Sequence, residues 1–477
     1  MKAVHTGPAV LLALALHGAL AAAERPLALH PDNPHYFLFR GKPAVLLTSG
    51  EHYGAVLNRD FDYRPYLDEL KACKFNLTRT FSGTYREIPG SFGIVENTLA
   101  PAAGRFLSPW ARADKAGAGD GGHKFDLKSW DEAYFDRLKD FVGEAGKRGV
   151  VVELVLCCAL YDDKLWAVNP MNARNNVNGV GSVGRLEVYT LKDKGLTAVQ
   201  EALAKKLVTE LRDFDNVYFE LCNEPYFGGV TKEWHDRIAA AIVEAEKGLP
   251  ARHLIAQNVA NGSAKVTAPN PHVSIFNFHY ATPPDTVAVN FGLNKAIGDD
   301  ETGFKGKDDL PYRTEGWDFF LAGGAVYSNL DYSYTCARPN GTAAVTTSPG
   351  GGGPKLRRQL TILKEFMDEL DFVKMKPANH LLKGGKVTAA LAGNPPQARA
   401  TARLLAEPGR AYAAYVRGGS HAELVLELPA GAWRAEWVDT KTGKVAKAED
   451  FTHGGGTRKL ASPPYTEDIA LRVKRGS

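Results

Sequence analysis

At 477 residues the chain is too long for one small core and predicts about two domains. Charged residues make up 23% and hydrophobic residues 44%, an ordinary globular composition that excludes a long disordered or acidic segment. The formal net charge is only +4, with no Lys/Arg-rich stripe, so nucleic acid is not an expected partner.

Lys2, the apolar run Ala9 to Leu16 and the small residues Ala21-Ala22-Ala23 before Glu24 follow the order of a secretory signal peptide. Residues 1–23 are therefore set aside as a leader, and the mature protein is expected to be secreted or periplasmic. The apolar run is too short to span a bilayer, and no later run reaches membrane length. Five cysteines, Cys73, Cys157, Cys158, Cys222 and Cys336, match no disulfide framework or zinc spacing. Cys157, Cys158 and Cys222 lie in apolar runs and read as small buried strand residues.

From about residue 44, short apolar runs alternate with amphipathic helical stretches, which predicts parallel βαβ units. The runs are 44–48, 75–81, 150–156, 216–221, 253–258, 273–278, a weaker 293–298, and 325–330. Between the second and third, Ser129 and Glu132 have capping-box spacing, Tyr134, Leu138, Phe141 and Ala145 share a helix face, and Gly149 stands at a C-terminal stop. Leu203, Leu207 and Leu211 are in register on a later helix, and Trp234, Ile238 and Ile242 on another. Eight strands with intervening helices predict a (β/α)8 barrel over residues 24–376. Two long insertions, 83–123 and 166–191, follow strands two and three, on the face where barrels carry their sites. Beyond about Pro377 short alternating runs separated by Gly and Pro turns predict a small β-sandwich over 377–477.

The chemistry concentrates at strand ends. Asn216-Val-Tyr-Phe-Glu-Leu-Cys-Asn-Glu-Pro225 is a strand stopped by proline, which delivers Asn223 and Glu224 to the barrel mouth. Desolvation there is expected to raise the pKa of Glu224 and keep it a proton donor. This stretch resembles the Asn-Glu-Pro motif of cellulase-like retaining glycoside hydrolases, a clan of (β/α)8 enzymes.

The resemblance implies that Glu224 is the acid/base and that Asn223 holds the sugar 2-hydroxyl. It places the nucleophile at the end of strand seven, within Ala296-Ile-Gly-Asp-Asp-Glu-Thr-Gly303, where Glu301 precedes Thr302-Gly303 and Asp300 is the alternative. Arg79, inside strand two, matches the clan's arginine, and a guanidinium there would keep the nucleophile ionised. His279-Tyr280 is similar to the clan's strand-six pair, implied to bind sugar and steady the nucleophile. At the end of strand eight, where the clan often has tryptophan, this chain reads Asn329-Leu-Asp-Tyr-Ser-Tyr334.

Read from the residues themselves, Glu51 and His52 at the end of strand one are expected to touch substrate or to form a structural pair. Trp110 and Trp166, in the insertions, are candidate sugar walls. Trp234 and Trp317 read as core, Glu153 and Glu220 as structural carboxylates, and Trp433 and Trp437 as one strand face, for core or sugar. The expected function is hydrolysis of an oligo- or polysaccharide by double displacement, with Glu301 attacking and Glu224 as acid/base. No His-x-His or His-Glu-x-x-His arrangement occurs, and no metal or cofactor is expected. The rivals are a transglycosylase, a non-catalytic carbohydrate-binding barrel and a metal hydrolase using Asp299, Asp300 and His279. The residues name neither the sugar nor an oligomeric state.

Overall fold

The computed structural model describes residues 25–388 and 401–476; the expected leader lies outside them. Eight parallel strands form the barrel: β1 (Leu46–Gly50), β2 (Leu77–Phe81), β3 (Val151–Val155), β4 (Val217–Glu220), β5 (Ile255–Asn261), β6 (Ile275–His279), β7 (Ala296–Thr302) and β8 (Val326–Leu330). Each pairs with the next in sequence from β2 to β8, and β8 returns to β1. Covering helices make most of these strands buried on both faces, which is why they read as continuous apolar runs.

The seam between β1 and β2 is closed by one side chain. Asn76 accepts from the Leu47 N–H at 2.9 Å and donates to the Val45 carbonyl at 2.8 Å. Its own N–H donates to the Leu47 carbonyl.

Besides the six-residue helix Asp163–Val168 in the insertion after β3, the helices are α1 (Tyr63–Ala72), α2 (Glu132–Lys147), α3 (Lys194–Leu211), α4 (Lys232–Ala245), the short α5 (Asp285–Asn290), α6 (Asp309–Leu321) and α7 (Pro354–Asp368). β5 runs to β6 without one. The expected capping box at Ser129 is not used. Residues His123–Trp130 form a hairpin with Trp110–Ala116, so the chain is still extended at Ser129, whose hydroxyl donates to Asp126. Asp131 caps α2 instead, accepting from the Ala133 N–H at 3.1 Å.

The C-terminal strands form two antiparallel sheets. One has six strands in the order Lys376–Pro377, Thr401–Glu407, Ala411–Arg417, Asp468–Arg475, Gly431–Val438, Val445–His453; the other has Leu382–Thr388, His421–Leu428, Gly456–Ala461. Trp433 and Trp437 are buried between them with Leu424, Leu426 and Leu471, so this tryptophan pair is core, not an exposed platform. The sandwich docks on α6, where Trp317 packs between Phe366 (5.0 Å) and Tyr415 (5.6 Å).

Candidate active site

The site lies at the C-terminal ends of the strands. Past Glu220 the β4 backbone continues as far as Asn223, whose N–H donates to the Cys157 carbonyl. Glu224 then turns into a left-handed conformation (φ 45°, ψ 52°) and Pro225 opens a 3-10 turn. The turn throws the Glu224 carboxylate across the barrel mouth.

On the opposite wall β7 is irregular. Phe278 pairs with Asp299 but His279 pairs with Glu301, so Asp300 has no partner on β6. An extra residue of this kind re-aims the side chains that follow it. Asp300 points into the sealed barrel interior, fully buried, whereas Glu301 reaches the cavity and is 6% exposed. Only Glu301 of the two can meet a ligand. Strand β7 also runs further than the run 293–298 suggests, carrying all three acidic residues within the sheet.

Beneath the mouth, Arg79 is the hub of a buried charge network. Its Nη1 lies 3.2 Å from Glu301, and Nη2 lies 2.5 Å from Glu220 and 2.8 Å from the Asn223 Oδ1. Its Nε is 3.3 Å from Asp300 and 3.7 Å from Glu153. Asn277 Nδ2 donates to Glu153, Glu220 and Asp300 at 2.8–3.0 Å. A β-carbon on Gly298 would fall 2.4 Å from the Asn277 Oδ1, so glycine is required for this side chain to lie in the barrel.

Negative groups outnumber cations here, and protons make up the difference. Burial pushes Glu220 up to about 7, against the pull of Arg79. Burial, with Asp300 and Glu220 as like-charged neighbours, holds Glu153 well above the ordinary range. Asp300 goes the other way: burial would raise it, but Arg79 and His279 bring it down to about 2. Burial would depress His279, yet Glu301 and Asp300 outweigh it and hold the imidazole protonated.

Glu224 departs from expectation. Burial does push its carboxyl up, but the hydrogen bonds from His279 and Tyr161 more than offset this, and its pKa is lowered. His279 Nδ1 lies 3.3 Å from Glu224 and 3.6 Å from Glu301, and the Tyr161 hydroxyl donates to Glu224. In the free protein the proton thus resides on His279, one hydrogen bond from Glu224.

Both carboxylates line a cavity of about 330 Å³, together with His52, Tyr53, Glu87, Asn223, Asn261, Tyr280 and a set of aromatic rings. Tyr280 donates to Glu301 at 3.1 Å. Strained backbone gathers here. Of the eleven non-glycine residues with positive φ among the described residues, five line the cavity: Tyr53, Phe92, Glu224, Tyr280 and Phe304. Such conformations cost free energy and persist where surrounding structure enforces them.

The geometry therefore brings Glu224, Glu301, Asn223, Tyr280 and His52 to one cavity, with Arg79 and His279 directly behind it. It does not bring Glu51 or Trp166. Glu51 is fully buried and accepts from the N–H groups of Gly54 and Ala55 and from Thr98, tying the strand-one turn to the insertion after β2. Trp166 is buried in the insertion after β3, its indole donating to the Val183 carbonyl, and Trp110 is equally enclosed. A buried indole has no face to offer a sugar. The asparagines of that insertion bind its own backbone, as Asn175 does to Ala167 and Asn169. Sequence reasoning missed Glu87, Tyr161, Tyr226 and Asn261. Tyr161 and Tyr226 stand just past strand ends, which is the signal that could have found them.

Two triads among the described residues bring possible metal-ligating atoms within 4.8 Å of one another: Glu224–His279–Glu301 and Glu153–Glu220–Asp300. Asp299 belongs to neither. Arg79 sits against Glu301 in the first triad and against all three members of the second. A dication in either would face that guanidinium, so the donor sets fit a cation poorly.

No family model matches the sequence, and no curated protein is similar to it. Solved structures are. One from Bacteroides vulgatus assigned as a glycoside hydrolase superposes with a TM-score of 0.65 at 13% identity, over 95% of this chain and 83% of that one. The two chains share one fold. A family 5 glycoside hydrolase from the same organism (TM-score 0.61, 14% identity, 94% and 93% coverage) and another glycoside hydrolase (0.61, 14%, 95% and 97%) agree. The coverage takes in barrel and sandwich together.

Proposed function

We propose that the protein is an exported glycoside hydrolase that cleaves O-glycosidic bonds with retention, with Glu301 as nucleophile and Glu224 as acid/base. The observation that carries this reading is the pair of carboxylates facing one another across the cavity with oxygens within 4.8 Å. That matches the separation of about 5–5.5 Å typical of retaining enzymes and is too close for the water an inverting enzyme places between them. Export rests on the leader-like N-terminus alone.

In the first step Glu301 attacks the anomeric carbon and the bond to the leaving oxygen breaks. Glu224 supplies that oxygen with a proton, which it draws from the adjacent imidazolium of His279. In the second, Glu224 removes a proton from water, whose oxygen takes the anomeric carbon and frees Glu301. Arg79 and Tyr280 hold Glu301 in place by hydrogen bonds to its two oxygens.

The test is hydrolysis of a panel of aryl glycosides and glycans by the wild type and by Glu224→Ala, with azide added to the variant. Cleavage by the wild type and formation of a β- or α-glycosyl azide of retained configuration by the variant support the assignment. Glycan binding without cleavage across the panel would identify a binding protein instead.

A further inference from the structure

The cavity has two unlike halves. Around Glu301 it is polar: His52 and Glu87 lie 3.4 Å apart, Tyr85 donates to Glu87 at 3.1 Å, and Asn97 donates to its other oxygen. These groups can exchange hydrogen bonds with the hydroxyls of a sugar. On the Glu224 side the lining is aromatic. Tyr161, whose hydroxyl holds Glu224, is flanked by Phe92 at 5.2 Å and Phe227 at 5.9 Å, and Phe304 lies 6.4 Å beyond Phe92. Both amides on that side of the cavity lining are already engaged: Asn261 by the Tyr226 hydroxyl, and Asn223 by Arg79 and the Tyr161 hydroxyl.

These rings are exposed where most large apolar side chains are not. Phe92 is 42%, Phe227 49% and Phe304 40% exposed. Phe92 and Phe304 are moreover held at φ 54° and 50°, a region bulky residues rarely occupy. Two unrelated loops thus strain their backbones to present phenyl rings at one mouth. Phe92 meets Tyr161 and Phe304 edge to face, at 85° and 76°. The rings wall a notch; they do not make a flat platform.

The acid/base protonates the leaving oxygen, so the Glu224 side of the cavity receives the leaving group. A sugar there would find few side-chain partners for its hydroxyls. An apolar group would cover the three rings and remove them from water. At about 330 Å³ the cavity is also at the lower end of the range for small-molecule sites, roughly 300–1,000 Å³. Resting on the hydrolase reading, we propose that the substrate is a small glycoside whose aglycone is an aryl or alkyl group, and that Phe92, Phe227 and Phe304 select it.

The experiment first finds the sugar with 4-nitrophenyl glycosides. It then compares the methyl, octyl and 2-phenylethyl glycosides of that sugar and a disaccharide with the same non-reducing unit. All four leave as aliphatic alcohols protonated by Glu224, so aglycone binding dominates the differences. The octyl or 2-phenylethyl glycoside is expected to exceed both the methyl glycoside and the disaccharide in kcat/KM by about tenfold or more. Phe92→Ser and Phe227→Ser should each lower that ratio several-fold, whereas Phe227→Leu should hold it. Preference for 2-phenylethyl identifies an aryl aglycone, and preference for octyl an alkyl chain. A disaccharide cleaved as well as the octyl glycoside, or a ratio unmoved by both serine variants, overturns the aglycone proposal and leaves the hydrolase reading intact. Silence of every nitrophenyl glycoside overturns the small-glycoside proposal, and the hydrolase reading falls with it only if the glycan panel is silent as well.

Discussion

Two buried arginines anchor two charge networks, and they are built differently. Arg313 on α6 reaches across to the sandwich, with Nη2 2.7 Å from both Asp468 and Glu467. Nearby, Asp318 meets Arg403 at 3.2 Å and Arg417 at 3.3 Å. With Lys441 3.5 Å from Glu467, four cations meet three carboxylates, so every negative charge here is balanced. Arg79 instead faces Glu153, Glu220, Asp300 and Glu301, with His279 as the one further cation in contact with them. The balanced network joins two domains and needs no mobile proton. The unbalanced one must hold protons to exist, and it lies under the carboxylates that would move them.

The largest expected effect separates the two arginines. Arg79→Met and Arg313→Met each strand buried carboxylates and should each cost about 3–5 kcal/mol of stability in urea unfolding. Arg79→Met should also lower kcat by roughly 10²–10³-fold, as loss of a charge stabiliser does, while Arg313→Met keeps kcat/KM. Equal losses of activity would erase the distinction.

A smaller effect tests the stored protons. Glu220 ionises near pH 7 in the folded protein but near 4.5 as an ordinary carboxyl. The folded state binds this proton more tightly, so its contribution to stability is full below about pH 4.5 and is lost as the pH rises through 7. The loss is about 3 kcal/mol. Urea midpoints measured from pH 4.5 to 8 should fall accordingly, and Glu220→Gln should flatten the slope. A wild type equally stable across that range would mean the network holds no such proton.

The smallest concerns the mouth. His279 keeps the Glu224 carboxyl below its ordinary value, so His279→Asn should raise it. In the wild type the alkaline limb of kcat/KM reports loss of the proton held on His279; in the variant Glu224 must carry that proton itself, and the limb should move to lower pH. A limb that stays put or moves to higher pH would show that His279 does not hold the proton Glu224 delivers.

Much of the molecule was legible in its residues. All eight barrel strands fall on runs read from the sequence, because parallel strands covered on both sides must be apolar throughout. Asn223-Glu224-Pro225 advertised itself because a proline ends a strand and leaves polar groups at its tip. The Glu301–Asp300 ambiguity was not resolvable that way, since a one-residue bulge on β7 decides which acid reaches the cavity. Nor were Glu51 and Trp166, which have the right residue types in the right loops but point into packed interior. Hairpin 110–130 hid inside an insertion, and with it the true cap of α2.

Local pattern by itself determined the barrel and sandwich, the order of the barrel strands and the strand ends that carry chemistry, because periodicity and turn residues act between neighbours in the chain. Which side chains share a cavity, which acid is buried and where the proton rests were decided only by the tertiary structure. Those properties depend on distances between residues far apart in the chain, as Arg79 and Glu301, 222 positions apart, or Glu224 and His279, 55 apart, and on the burial that turns such distances into shifted proton affinities.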